Sequence, residues 1–330
     1  GAITSGSRVG FAVSYLPLWQ PEADLRRDFD AIRSTGAGWV RIDFPWSAVQ
    51  ADGRDRWNWS ATDRAVAAAH SRGMQVLPML GFTPGWARPG QPSDKYPPVD
   101  NADYARFVRA AVARYAPQGV KAWEIWNEPN VSSFWQPRPD AAAYSRLLRA
   151  GYDAVKAIDP TATVVSGGVA HAGGTLDTAD PAGHWISPYR FVSQMYAAGA
   201  RGSFDALGLH PYAAFPFAPS ADKSWNTFQQ ADEIHGLMAS KGDGSRKIWG
   251  TEAGYHTGTS PDSLTEAQQA DYTVEYLDLW DNWSFTGPIF LYMPRDRSPD
   301  RGASEENFGV LFRHDFTPKP ALDALARAVG

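Results

Sequence analysis

The chain contains no cysteine. That absence excludes disulfides, thiolate nucleophiles and cysteine-ligated zinc, and leaves the redox compartment open. No apolar run approaches the ~20 residues that a membrane-spanning helix needs. No block of like charge occurs either, and the net charge of −5 is too mild to mark a nucleic-acid-binding surface. Three chemical signatures are also missing. No Gly-x-Gly-x-x-Gly follows the first apolar segment, no His-Glu-x-x-His or carboxylate–histidine cluster suggests a metal, and Ser166-Gly167-Gly168 is a flexible strand end, not a Gly-x-Ser-x-Gly elbow. Dinucleotide, metal and serine-hydrolase chemistry therefore have no support, and no cofactor is expected. With no linker or low-complexity segment to divide it, the chain of 330 residues reads as one domain, residues 1–330. Its start, Gly1-Ala2, shows no charged-then-apolar signal pattern.

What the chain has in abundance is aromatic surface: 14 Trp, 13 Tyr and 16 Phe. Part of that fills a core. Indoles at loop ends also suit the apolar faces of sugar rings. Short apolar runs bounded by Gly, Pro or Asp alternate with segments whose apolar residues recur at three and four. The predicted strands are Arg8–Tyr15, Trp39–Phe44, Met74–Leu80, Val120–Asn127, Ala162–Ser166, Phe204–His210, Lys247–Thr251 and Pro288–Met293. The predicted helices are Pro21–Thr35, Ala61–Arg72, Ala102–Tyr115, Asp140–Ile158, Pro188–Ala198, Phe228–Ser240, Thr265–Asp281 and Pro320–Val329. Strand–helix units in series imply parallel strands, and eight of them close into an α/β fold of the (β/α)8 TIM-barrel type. An open doubly wound sheet is the alternative.

In a barrel the reacting groups stand at the carboxyl ends of the strands. The fourth strand ends Trp123-Glu124-Ile125-Trp126-Asn127-Glu128-Pro129, where Pro129 closes the extended run. The seventh ends Lys247-Ile248-Trp249-Gly250-Thr251-Glu252. Two carboxylates facing each other across a barrel mouth are the minimum apparatus for glycoside hydrolysis, one protonated and one ionised. A strand-ending turn with a solvated glutamate is the bland reading of Glu128, and a buried ion pair with Arg41 that of Glu252. Burial beside Trp126, and negative charge on Glu252, would raise the pKa of Glu128 above the ordinary glutamate value.

The stretches "WEIWNEPN" (Trp123–Asn130) and "IWGTEAGY" (Ile248–Tyr255) resemble the acid/base and nucleophile signatures of glycoside hydrolase clan A. "RIDFPW", "LPMLGFTPGWA" and "FDALGLHPY" are most similar to family 39 and related polysaccharide hydrolases, with family 5 second, and the tail "HDFTPKPALDAL" resembles the last turn of many such barrels. The resemblance implies that Glu128 is the general acid/base, Glu252 the nucleophile, and Asn127 the residue that binds the sugar 2-hydroxyl. It implies that Arg41 and Tyr212 orient the nucleophile and that His210 belongs to the subsite of the cleaved sugar. Many clan members end strand eight with a Trp that floors this subsite. Here the region reads Phe290-Leu291-Tyr292-Met293, so Tyr292 or another loop must serve.

Other polar and aromatic residues at strand ends complete the candidate list. Asp43 suits a substrate contact or a loop cap. Trp46, Trp86, Trp135 and Trp185 follow strands and suit sugar stacking, whereas Trp57 and Trp59 suit packing. Glu124 shares a strand face with Glu128 and needs a partner inside the barrel. His171, His184 and His256 lie in loops at the same end. The expected activity is that of a retaining β-glycosidase on an oligo- or polysaccharide, with a transglycosidase or a non-catalytic carbohydrate-binding barrel as alternatives. A carbohydrate is the expected partner, with no nucleic acid and no membrane span. The expected location is secreted or cell-surface, its signal segment being absent from this chain.

Overall fold

The computed structural model describes residues 1–330. Eight parallel strands close into a barrel in chain order: β1 (Val9–Ser14), β2 (Trp39–Pro45), β3 (Gln75–Gly81), β4 (Ala122–Ile125), β5 (Thr163–Ser166), β6 (Ala206–Leu209), β7 (Lys247–Ala253) and β8 (Thr286–Tyr292). Parallel pairing needs a crossover between strands, and helices supply it. Between β1 and β4 these are α1 (Leu16–Trp19, one turn), α2 (Glu22–Ser34), α3 (Trp46–Val49, one turn), α4 (Ser60–His70) and α5 (Asn101–Tyr115). The rest of the ring is α6 (Ala141–Ile158), α7 (Pro188–Ala197), α8 (Thr227–Ser240), α9 (Glu266–Asn282) and α10 (Pro320–Ala328).

The helices start where side chains satisfy their free N–H groups. Asp100 accepts from the Ala102 N–H at α5, Asp140 from that of Ala143 at α6, and Thr265 and Gln268 form a reciprocal capping box at α9. No helix is long and apolar enough to cross a membrane.

Two cores hold the layers together. The larger lies between the barrel wall and the helices. The smaller fills the barrel itself and takes one side chain from each strand: Ala12, Trp39, Leu77, Ala122, Val165, Ala206, Trp249 and Phe290. Trp39 meets Trp249 edge-on at 5.5 Å and Phe290 at 6.0 Å, so three large rings and five smaller side chains close the floor.

Two predicted boundaries that bear on the site need correction: β7 runs on to Ala253, so Glu252 lies inside it, and β4 is shorter than expected. Strand β4 stops at Ile125, two residues before Asn127. Trp126 (φ 71°) and Glu128 (φ 47°) adopt left-handed backbone, which ends the extended run and is uncommon for residues with a Cβ. Several bonds hold this turn. The Trp126 N–H donates to Leu80 O, its indole N–H to Phe134 O, and the Glu128 N–H to Gly168 O. The Tyr144 hydroxyl donates to Ile125 O and accepts from the Gly167 N–H.

Candidate active site

Directly above the aromatic floor, alternation along the strands brings charge into the barrel. Arg41 on β2 and Glu124 on β4 are both buried, and the guanidinium Nε donates to Glu124 Oε1 at 2.6 Å. Buried charges need such pairing. Glu124 Oε2 in turn accepts from the Gly168 N–H at 2.9 Å. The structural partner expected for Glu124 is thus Arg41.

The other two guanidinium nitrogens point upward. Nη2 donates to Asn127 Oδ1 at 2.7 Å, and Nη1 to Glu252 Oε2 at 3.3 Å. A guanidinium only donates, so it fixes the Asn127 amide with its oxygen toward Arg41 and its NH2 group free for another acceptor. Glu252 Oε1 accepts a short bond, 2.5 Å, from the Tyr212 hydroxyl. Tyr212 is held by rings on several sides, among them His171 at 5.1 Å and Phe308 at 6.0 Å.

Glu128 and Glu252 each offer an oxygen within 4.8 Å of the other's, and His210 Nδ1 sits among them. That nitrogen is 2.7 Å from Glu128 Oε2 and 3.8 Å from Glu252 Oε2. His210 Nε2 is buried without a partner and faces Gly168, where a Cβ would come within 2.3 Å of it. Burial lowers the His210 pKa to about 4, so the ring is neutral near pH 7. Burial raises that of Glu128 to about 7. His171 and Arg41 oppose this rise, while Glu305 and Glu124 add to it. Glu252 is also raised by burial and by Glu128, against the pull of His210, Arg41 and the Tyr212 hydrogen bond. Burial is thus the largest cause at both carboxyls, and repulsion by Glu128 adds to it at Glu252. The three groups resemble a metal-ligand trio in spacing, but both Glu252 oxygens are already engaged by Arg41 and Tyr212.

The carboxylates open into a cavity of about 510 Å³ at the carboxyl ends of the strands. A model of the Cellulase family (glycosyl hydrolase family 5) matches residues 4–287. The chain belongs to glycosyl hydrolase family 5. Solved structures with the same fold include a family 39 glycoside hydrolase from Bacteroides cellulosilyticus WH2, 24% identical with a TM-score of 0.75, covering 98% of this chain and 64% of that one. A monomeric β-xylosidase from Caulobacter crescentus CB15 is 18% identical with a TM-score of 0.74, covering 99% and 68%. A GH5_18 protein from Streptomyces cattleya, solved with GlcNAc, is 19% identical with a TM-score of 0.70, covering 97% and 79%. This chain therefore spans under two thirds of the Bacteroides protein. Both families that the motifs resembled are present, family 5 through the family model and family 39 among the folds.

Of the residues singled out from sequence, the cavity of this family 5 chain is lined by Arg41, Asp43, Asn127, Glu128, His171, Tyr212, Glu252, His256 and Tyr292. Asp43 lies within β2, not in a loop cap, and accepts from the Ser14 hydroxyl at 3.3 Å. Tyr292 accepts from Arg297 at 3.3 Å and packs on Phe308.

Four others stand elsewhere. His210 is fully buried behind Glu128 and reaches the carboxyl instead of the cavity. Trp46 is fully buried because α3 turns its ring inward, against Tyr104, Phe107 and Trp86, with its N–H on Gln50. Trp86 joins that cluster and donates to Gln50 O. Trp135 is 2% exposed, wedged edge-on between Trp126 and Tyr144, and its outer edge borders a separate groove. All three indoles extend the helix–barrel core and support the β3 and β4 ends from behind. Trp57 and Trp59 stack on each other as expected for packing.

The cavity also takes residues that sequence inspection passed over, including Tyr15, Phe82, Lys95, Arg297 and Glu305. Tyr15, Phe82 and Lys95 lie in loops whose position at the mouth depends on barrel closure. Arg297 and Glu305 lie beyond β8, in a stretch without periodicity.

Proposed function

We propose that this chain is a retaining β-glycoside hydrolase that cleaves oligo- or polysaccharide chains by double displacement, with Glu128 as acid/base and Glu252 as nucleophile. The observation that carries the reading is the pair of carboxylates, within 4.8 Å in one cavity and in unlike surroundings. Retaining pairs stand about 5–5.5 Å apart, whereas inverting pairs need about 6.5–9.5 Å to admit a water. The short separation favours direct attack.

The surroundings favour the division of roles. Glu252 accepts from Arg41 and Tyr212, both of which stabilise its anion and aim it. Glu128, raised to about 7 by burial, keeps its proton far higher in pH than an ordinary glutamate, and His210 fixes its Oε2 so that Oε1 is left for the substrate. In the first step a Glu252 oxygen bonds to the anomeric carbon. The glycosidic C–O bond breaks, and the Glu128 proton passes to the leaving oxygen. In the second, Glu128 takes a proton from water, whose oxygen displaces Glu252 from that carbon. The Asn127 NH2 group, presented by Arg41, donates to the hydroxyl beside the reacting carbon. A barrel that only bound sugar would have no need for two buried carboxyls so close together, since burial makes each resist ionising.

The test is azide rescue of the two alanine variants on an activated aryl β-glycoside. Glu128→Ala still forms the glycosyl-enzyme with a good leaving group but lacks the base for its hydrolysis. A burst is expected, and azide restores turnover to give the β-glycosyl azide. Glu252→Ala loses activity on every substrate, and azide entering the vacated space gives the α-azide. Exchange of the two anomers would exchange the roles, and full activity in both variants would move the active site elsewhere.

A further inference from the structure

Of the histidines in or beside the cavity, His210 is bound to Glu128, and His256 Nδ1 lies 2.7 Å from the Ser263 hydroxyl. His171 differs from both. It is exposed, lines the cavity, and forms no hydrogen bond or ion pair within the protein.

The backbone that carries His171 is tied down on both flanks. On one side the Glu128 N–H donates to Gly168 O; on the other the Val169 N–H donates to Gly208 O and the His210 N–H to Val169 O. Asn130, fully buried, commits its whole amide to the same stretch. Its Oδ1 accepts from the Ala170 N–H at 2.7 Å, and its Nδ2 donates to Ala170 O at 2.8 Å and Ile186 O at 2.9 Å. The segment before His171 is therefore sutured to the turn that bears Glu128. The imidazole itself packs on Tyr212, with ring centroids 5.1 Å apart, and Tyr212 holds Glu252. His171 is thus fixed on the β5 side of the proton donor, in reach of the field of Glu128. No bond joins the two side chains directly, so the cavity between them is open to a small group.

The second step of the reaction supplies such a group. The attacking water must turn one O–H toward Glu128 and a lone pair toward the anomeric carbon. Its other O–H needs an acceptor. Desolvation in the cavity lowers the His171 pKa below its ordinary value, against the pull of Glu128, so the ring is neutral near pH 7. A neutral imidazole keeps one bare nitrogen, which accepts.

We infer that His171 accepts the second O–H of the attacking water, orients it with Glu128, and so favours water over any alcohol or sugar as the acceptor. This rests on the hydrolase reading above. The atoms balance as in that reading. The water oxygen bonds to the anomeric carbon, the bond from that carbon to Glu252 breaks, one proton passes to Glu128, and the O–H on His171 stays with the product. An alcohol attacking from the same place has a single O–H, which Glu128 takes, so His171 gives it no help.

His171→Phe keeps a ring on Tyr212 and removes the acceptor, whereas His171→Gln keeps an acceptor. Both are compared with wild type on the best substrate of a panel of dinitrophenyl β-glycosides, with and without methanol. The good leaving group makes the second step limiting. Dinitrophenol counts every turnover, free sugar counts hydrolysis, and methyl glycoside counts transfer. In His171→Phe kcat should fall about five- to tenfold, the loss of one hydrogen bond, with KM falling alongside and a burst of dinitrophenol. The ratio of methyl glycoside to free sugar should rise by the same factor, and His171→Gln should return toward wild type. A loss in kcat/KM with that ratio unchanged would reduce His171 to a support for Tyr212 and overturn the inference, as would wild-type values throughout. A wild type that cleaves nothing in the panel removes the hydrolase reading and this inference together. A wild type that cleaves, with the ratio unmoved in His171→Phe, removes the inference alone.

Discussion

At the residue scale the site turns on one side chain that does no chemistry. Arg41 holds Glu124, Asn127 and Glu252 at once, so the oxygen of Asn127 is committed and only its NH2 group is free. An NH2 donor to a sugar hydroxyl gains strength as positive charge develops on the ring in the transition state. Asn127→Ala should therefore lower kcat more than it raises KM, by about 10²-fold or more. An unchanged kcat with a raised KM would reduce Asn127 to a binding residue. The two glutamates divide the pH profile. As the proposed acid Glu128 must keep its proton, and its pKa is pushed up to about 7 by burial, so kcat/KM should fall as pH rises through that value. With an activated aryl substrate, measured at saturating azide, the alkaline limb should disappear in Glu128→Ala.

At the scale of elements, each chemical group depends on an irregular join. The β4 end carries left-handed backbone at Trp126 and Glu128, a conformation costing roughly 1–2 kcal/mol per residue and held by the bonds to Leu80, Phe134 and Gly168. Behind it the β5 end passes as two glycines. Any Cβ at Gly168 would meet His210 Nε2 at 2.3 Å and Thr251 Oγ1 at 2.4 Å. Gly168→Ala should thus push the imidazole off Glu128 and cut kcat on the order of 10²-fold, the effect of a displacement of about 1 Å. Wild-type kcat in that variant would show that His210 has no positioning role. The same joins explain what was legible beforehand. Apolar runs ending in Glu announced β4 and β7, because strand ends in a barrel point at solvent and at each other. The indoles were misread for a related reason. Trp46 directly follows β2, but it opens α3, and that helical turn directs its ring into the core. Such a turn has no signature in four residues. His210 shows the limit in another form: its place on a strand end was readable, while its burial behind Glu128 depends on a glycine from the neighbouring strand.

For the whole molecule, the site is a cost carried by the fold. The carboxyl of Glu128 ionises near 4.5 when unfolded and near 7 when folded. Below 4.5 both states hold the proton. As pH rises between the two values the unfolded chain releases it first, so stability falls, by an amount on the order of 3 kcal/mol once pH exceeds 7. Glu128→Gln, which mimics the neutral acid, should therefore raise the thermal midpoint at pH 8–9 and have little effect at pH 4. A gain independent of pH would show that the proton is not the cause. Beneath this site lies the floor to which every strand contributes a side chain. It makes the barrel a vessel with a single opening. A polymer cannot thread it, so on the proposed reading substrate and products alike pass through the one mouth at the carboxyl ends of the strands.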